Sequence, residues 1–157
     1  MSISKPTYTA KVSWNRDDQI FIDNKYSRAH QWEFDGGVKV PASASSHIVP
    51  LPYSVEANVD PEEAFIASIS SCHMLFFLGI AAKKKLIIDS YYDQAKGILE
   101  ENSDGFLAMT HVTLDPVIIF SNKQPSEAMI KKIHHLSHQQ CFIANSVKSQ
   151  IIIKGYE

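Results

Sequence analysis

The chain has little of what marks most specialised proteins. It has two cysteines in 157 residues, too few for a disulfide-stapled scaffold. Its 15 Lys and Arg against 17 Asp and Glu leave a net charge of −2. No basic block exceeds Lys83-Lys84-Lys85, so the electrostatic footprint of a nucleic-acid binder is missing. Residues 1–14, MSISKPTYTAKVSW, lack the apolar core of a signal peptide, which makes the cytoplasm the expected compartment. There two cysteines are expected to be reduced or redox-active rather than a permanent staple. Arginine is scarce too, with only Arg16 and Arg28. No internal repeat or low-complexity segment appears. What remains is 45% hydrophobic and 20% charged, ordinary for one globular domain or for a protomer of an intertwined dimer.

One further absence organises the chain. Between Ala64 and Ala82 there is no Asp, Glu, Lys or Arg. Asp60 can cap a helix there, Pro61 suits its first position, and Glu63 completes a capping box. Lys83 to Lys85 complement the dipole at its far end. Apolar residues fall on every face, so something must surround this helix. Its centre, Ser68, Ser70, Ser71, Cys72 and His73, fits hydrocarbon poorly. A buried central helix is therefore expected in preference to a membrane span, with a second copy of itself as the economical cover.

Elsewhere, Tyr8 to Trp14 alternates as a half-buried strand, and Gln19 to Asp23 reads as a short one. Arg28 to Phe34 alternates again before the turn Asp35-Gly36-Gly37 and the strand Val38 to Val40. Pro41 to Val59 is a long loop, of the kind that is usually functional or packed on a partner. Leu86 to Glu100 and Phe106 to Phe120 read as one long hairpin, Pro125 to Gln140 as a second helix, and Val147 to Tyr156 as a closing strand. The order is α+β.

Three readings compete for Cys72 and Cys141. An unpaired cysteine on an apolar helix is usually a small core residue. His134, His135 and His138 lie near Cys141 at helical spacings, and His134 and His138 could share a zinc ion, although no carboxylate or CxxC pair completes a ligand set. A redox pair would need Cys72 activated by nearby positive charge, and Arg28 stands at the head of a strand.

These residues match a family. DPEEAFIASISSC resembles the signature of the OsmC/Ohr superfamily, in which an Asn/Asp-Pro-Glu segment precedes a helical cysteine by ten positions. HQQCFIANS resembles that family's second cysteine motif, and SRAHQWEFDGG falls where its N-terminal sheet carries an arginine. The resemblance spans residues 1–157 as a single OsmC-like domain and looks closer to OsmC than to Ohr proper. It implies an α+β fold with an N-terminal antiparallel sheet, a long buried central helix, a second sheet segment and helix, and an intertwined homodimer.

The implied activity is that of a thiol-dependent peroxidase, which reduces organic hydroperoxides, and more weakly hydrogen peroxide, to alcohols under oxidative stress. Cys72 would be the peroxidatic cysteine and Cys141 the resolving one, joined in a redox-active disulfide. Arg28 would lower the thiol pKa and hold the peroxide, and Glu62 would orient Arg28. No metal or other cofactor is implied; an external dithiol, such as a lipoylated protein, would reopen the disulfide. Neither nucleic acid nor membrane is an expected partner. The alternative is a non-catalytic OsmC-like protein that binds a small apolar ligand at the dimer interface.

Two departures stand out. Phe142 follows Cys141 where the family often has proline, and His73 follows Cys72; a packed core histidine is the expectation for His73. Phe76, Phe77 and Leu78 are expected in the core, with Pro52 and Tyr53 as candidate pocket walls. Ten helical residues span about 15 Å and turn roughly 80° off the starting face. Glu62 is thus not expected to reach Cys72 of its own helix, and a composite site from two chains follows.

Overall fold

The computed structural model describes residues 4–121 and 123–157. The chain divides into two compact units, Met1–Ala64 and Phe65–Glu157.

In the first unit, β1 (Ala10–Ser13), β2 (His30–Phe34) and β3 (Lys39–Ala42) form an antiparallel sheet in that order. Trp32 stands between Val12 and Val40 across the ladders. The Asp35-Gly36-Gly37 turn closes as expected: Gly37 takes φ +87°, which glycine adopts freely, and its N–H donates to Phe34 O at 2.9 Å. Residues 19–23 are not a strand. Asp17 and Asn24 both adopt positive φ, and the main chain turns at Arg16–Gln19 and again at Phe21–Asn24. Phe21 stacks on Tyr26 instead of alternating into a sheet. The long loop is held by buried serines. Ser43 Oγ accepts from Val55 N–H at 2.9 Å, and Ser54 Oγ donates to Val49 O at 2.7 Å.

The helix α1 (Pro61–Lys83) begins as its residues dictate. Glu63 N–H donates to Asp60 Oδ1 at 2.7 Å, and Asp60 N–H donates back to Glu63 Oε2 at 3.1 Å, a reciprocal capping box. It ends with Lys85 at φ 59° and Leu86 N–H bonded to Ala81 O at 3.0 Å, the six-to-one bond of a Schellman motif. The chain alone buries one stripe of α1, Ile69, His73, Phe77 and Ala81. Ala67, Ser68, Ser71, Leu75 and Gly79 stay exposed. Burial all round is thus met on one side only. Length and composition alone would let α1 cross a membrane, yet its central His73 is a buried polar residue.

In the second unit the expected hairpin is two ladders. β4 (Ile88–Asp93) pairs with β7 (Pro116–Phe120), and β5 (Lys96–Glu101) pairs with β6 (Leu107–Leu114), all antiparallel. The arms break where Asp93 takes the corner: its Oδ1 accepts Asp115 N–H at 2.7 Å, and its Oδ2 accepts the Ser70 hydroxyl. The second helix, α2 (Glu127–Gln140), is capped by Ser126 and leads through a short 3₁₀ turn to β8 (Gln150–Ile153). β8 lies parallel to β6, since α2 carries the chain back across the sheet. Phe77 and Ala81 pack on Ile130 and Ile133 of α2, while Ile69 packs on Val112 and Leu114 of β6.

Gly97 on β5 lets α1 approach closely. A Cβ there would meet Met109 Cε, and would sit 2.6 Å from Ile66 Cδ1 and 2.9 Å from Ile66 Cγ1. Gly97→Ala is expected to destabilise the protein by about 1–3 kcal/mol. A lowered urea midpoint at unchanged m-value checks this.

Candidate functional site

The two cysteines, far apart in sequence, meet in the second unit. Cys72 lies at the middle of α1 and Cys141 caps the C-terminus of α2, its N–H donating to Ser137 O at 2.9 Å. Both are free thiols. Cys72 is half-buried, whereas Cys141 is fully enclosed. The Cys141 thiol lies near enough to Cys72 to feel it electrostatically, and Cys141 Sγ accepts Ala144 N–H at 3.3 Å. Burial, and then the neighbouring Cys72, push the Cys141 thiol up to about 11. A thiol so raised stays protonated at neutral pH. The two thiols are therefore unequal: Cys72 is the one reagents can reach, and Cys141 waits beside it as S–H. Phe142, where proline is common, sets its ring edge-on against Phe76 at 5.1 Å and 84°, tying the residue after Cys141 to α1.

Arg28 and Glu62 belong to the first unit. The Arg28 guanidinium lies 3.8 Å over the Tyr26 ring, and Nη2 donates to Asn24 Oδ1 at 2.8 Å. Nη1 donates to the carbonyls of Asn24 and Tyr26. With Trp14, Phe21, Tyr26 and His30 it lines a mostly apolar cavity of about 490 Å³. Pro52 and Tyr53 are not among the residues lining it; instead Tyr53 O accepts the Arg28 backbone N–H at 2.8 Å. Among the described residues no ion pair joins Glu62 to Arg28. The expected orienting contact is not formed within the chain, because the Arg28 donors go to Asn24 and Tyr26. Glu62 Oε2 is buried without a partner.

The sequence pointed to His73 as a core residue and missed its partner. His73 Nε2 lies 3.0 Å from His134 Nδ1 with the two rings nearly parallel at 11°. Burial lowers His73 to about 3, helped by His134 and His138, and lowers His134 to about 4. Both are neutral rings at physiological pH. Among the described residues no three His, Cys, Asp or Glu side chains converge as a metal ion requires.

The sequence profile of the OsmC-like protein family matches residues 55–154. Among curated proteins none matches. An OsmC-like protein of unknown function from Vibrio cholerae superposes with a TM-score of 0.94 at 54% identity, over 96% of this chain and 99% of that one. At 16% identity, an organic hydroperoxide resistance protein from Elizabethkingia anophelis shares the fold with a TM-score of 0.71, over 97% and 95% of the chains. The organic hydroperoxide resistance protein OhrB of Bacillus subtilis does so at 20% identity and 0.61, over 94% and 96%. The profile spans both cysteines, and the α+β architecture matches throughout, so the chain belongs to the OsmC-like family.

Proposed function

We propose that this protein is a cysteine-based peroxidase acting on organic hydroperoxides. The observation that carries the reading is the pair of neighbouring free thiols, one half-buried and one enclosed. The Cys72 thiolate attacks the outer oxygen of the hydroperoxide; the O–O bond breaks, the alkoxide leaves and is protonated to the alcohol, and Cys72 becomes a sulfenic acid. Cys141 then displaces the sulfenic hydroxyl, which leaves as water carrying the Cys141 proton, and a disulfide forms. An external dithiol reduces it by exchange. Arg28 and Glu62 supply positive charge and its orientation in this reading. Their contribution comes across a dimer, which is supported by the apolar surface a single chain leaves open: Ile22 at 96% exposure, and Phe106 and Leu107 at 70% each. The names of the hydroperoxide resistance proteins that share the fold favour the same substrate class.

Stopped-flow titration of the reduced protein with cumene hydroperoxide tests this. Two thiols are expected to disappear per peroxide in the wild type, and a trappable sulfenic acid should accumulate in Cys141→Ser. A wild-type protein that keeps both thiols under excess hydroperoxide overturns the proposal and brings forward ligand binding without catalysis.

A further inference from the structure

The buried histidine pair has a use that peroxide chemistry does not absorb. A cavity of about 610 Å³ opens between α2 and β8, a size typical of small-molecule sites. Its walls include Ile151, Ile152 and Ile153 of β8, together with Tyr156; Lys131, Lys132 and His135 of α2 also line it. Ile151 and Ile153 belong to the core cluster around Ile69, so strand alternation turns Ile152 the other way, toward the cavity.

His134, only 1% exposed, lines the same cavity. Phe77 covers its ring at 4.5 Å and Tyr156 at 4.7 Å. Its Nδ1 is taken by His73. The Nε2 edge is what remains, and Nε2 is buried with no partner. An orphaned buried polar atom costs free energy and calls for an explanation.

We propose that this cavity binds a medium-chain carboxylate, its head group accepting the N–H of His134 Nε2 and its hydrocarbon lying along Ile152. The bound carboxylate selects the tautomer in which His73 Nε2–H donates to His134 Nδ1, leaving the His134 proton on Nε2. One buried donor suits a monoanion; a phosphate dianion needs several. Lys131 and Lys132 provide the favourable field, although Lys131 also donates to the Glu157 carbonyl at 3.3 Å, and the Glu157 carboxylate opposes the ligand at the rim. Besides these groups, His138 lines the cavity as well. Neither Cys72 nor Cys141 takes part, so the proposal stands apart from the peroxidase reading.

Calorimetric titration of the full-length protein at pH 7 with octanoate, octanol and inorganic phosphate provides the test, with the ¹⁵N shift of His134 Nε2 followed by NMR. Octanoate is expected to bind and move that resonance, octanol to bind at least tenfold more weakly, and phosphate not to bind. His134→Phe keeps a flat ring between Phe77 and Tyr156 and should lose tenfold or more in octanoate affinity. Ile152→Glu, which sets a negative charge on the wall without touching the histidine pair, should do the same if His134→Phe fails to fold. Cys72→Ser should bind as the wild type does. No octanoate binding, equal binding of octanol, preference for phosphate, or an unmoved Nε2 resonance would each overturn the assignment.

Discussion

Replacing Cys72 by serine is expected to reduce hydroperoxide consumption by about three orders of magnitude or more, as loss of a nucleophile does in other covalent catalysts. Serine is close to cysteine in size but cannot be oxidised to a sulfenic acid. The other cysteine cannot take over. Cys141 is fully enclosed and its thiol is held near 11, so at neutral pH about one molecule in 10⁴ would carry its thiolate, and no peroxide reaches it. The check is peroxide loss with a dithiol in excess, in wild type and variant at equal folded concentration. Turnover by Cys72→Ser at wild-type rate would move the chemistry elsewhere in the molecule.

The second large effect is on stability in mild acid. His73 and His134 hold folded values of about 3 and about 4, both below the ordinary 6.5. Between those limits the unfolded chain binds more protons than the native one, so stability rises with pH there and is complete above 6.5. On acidification each ring withdraws up to about 1.4 kcal/mol per pH unit, and the pair together on the order of 3 kcal/mol between pH 7 and 5. The charges that act on them come from both packed helices: His73 faces His134 and His138, while Phe77 and Tyr156 offer His134 no counter-charge. Urea unfolding at pH 7, 6 and 5 should show the slope, and His134→Phe should flatten it. An acid profile identical in the two proteins would mean that the pair does not titrate with unfolding.

Much of the fold was legible because it rests on local chemistry. Asp60, Pro61 and Glu63 announce a helix start that geometry then realises bond for bond, and Asp35-Gly36-Gly37 announces a turn that needs positive φ. Where the outcome depends on distant partners, the sequence was silent. Nothing local in Gln150–Ile153 says that it lies parallel to β6, because that pairing is set by where α2 returns the chain. Asp93 splits one apparent hairpin into two ladders through bonds to Ser70 and Asp115, residues more than twenty positions away. Gln19–Asp23 has strand-like composition, yet Asp17 and Asn24 flank it in turn conformations. The meeting of Cys72 and Cys141 was suggested by family resemblance, not by spacing. The His73–His134 bond had only a faint signal, two histidines on the stripes by which two helices would bury, and stripes do not reveal which rungs face each other.

The position of Cys141 at the far end of α2 also gives the molecule a history. Synthesis makes Cys72 first and Cys141 roughly 3–14 s later at ordinary elongation rates. If the proposed peroxidase reading holds, the growing chain during that interval carries the reachable sulfur without the buried one that would catch its sulfenic acid. Peroxide met at that age has no internal disulfide to end in, and further oxidation to the irreversible sulfinic acid becomes the open route. On that reading, a cell making this protein under heavy oxidant load would accumulate damage in its youngest copies, while the completed ones, with both sulfurs in place, would be spared.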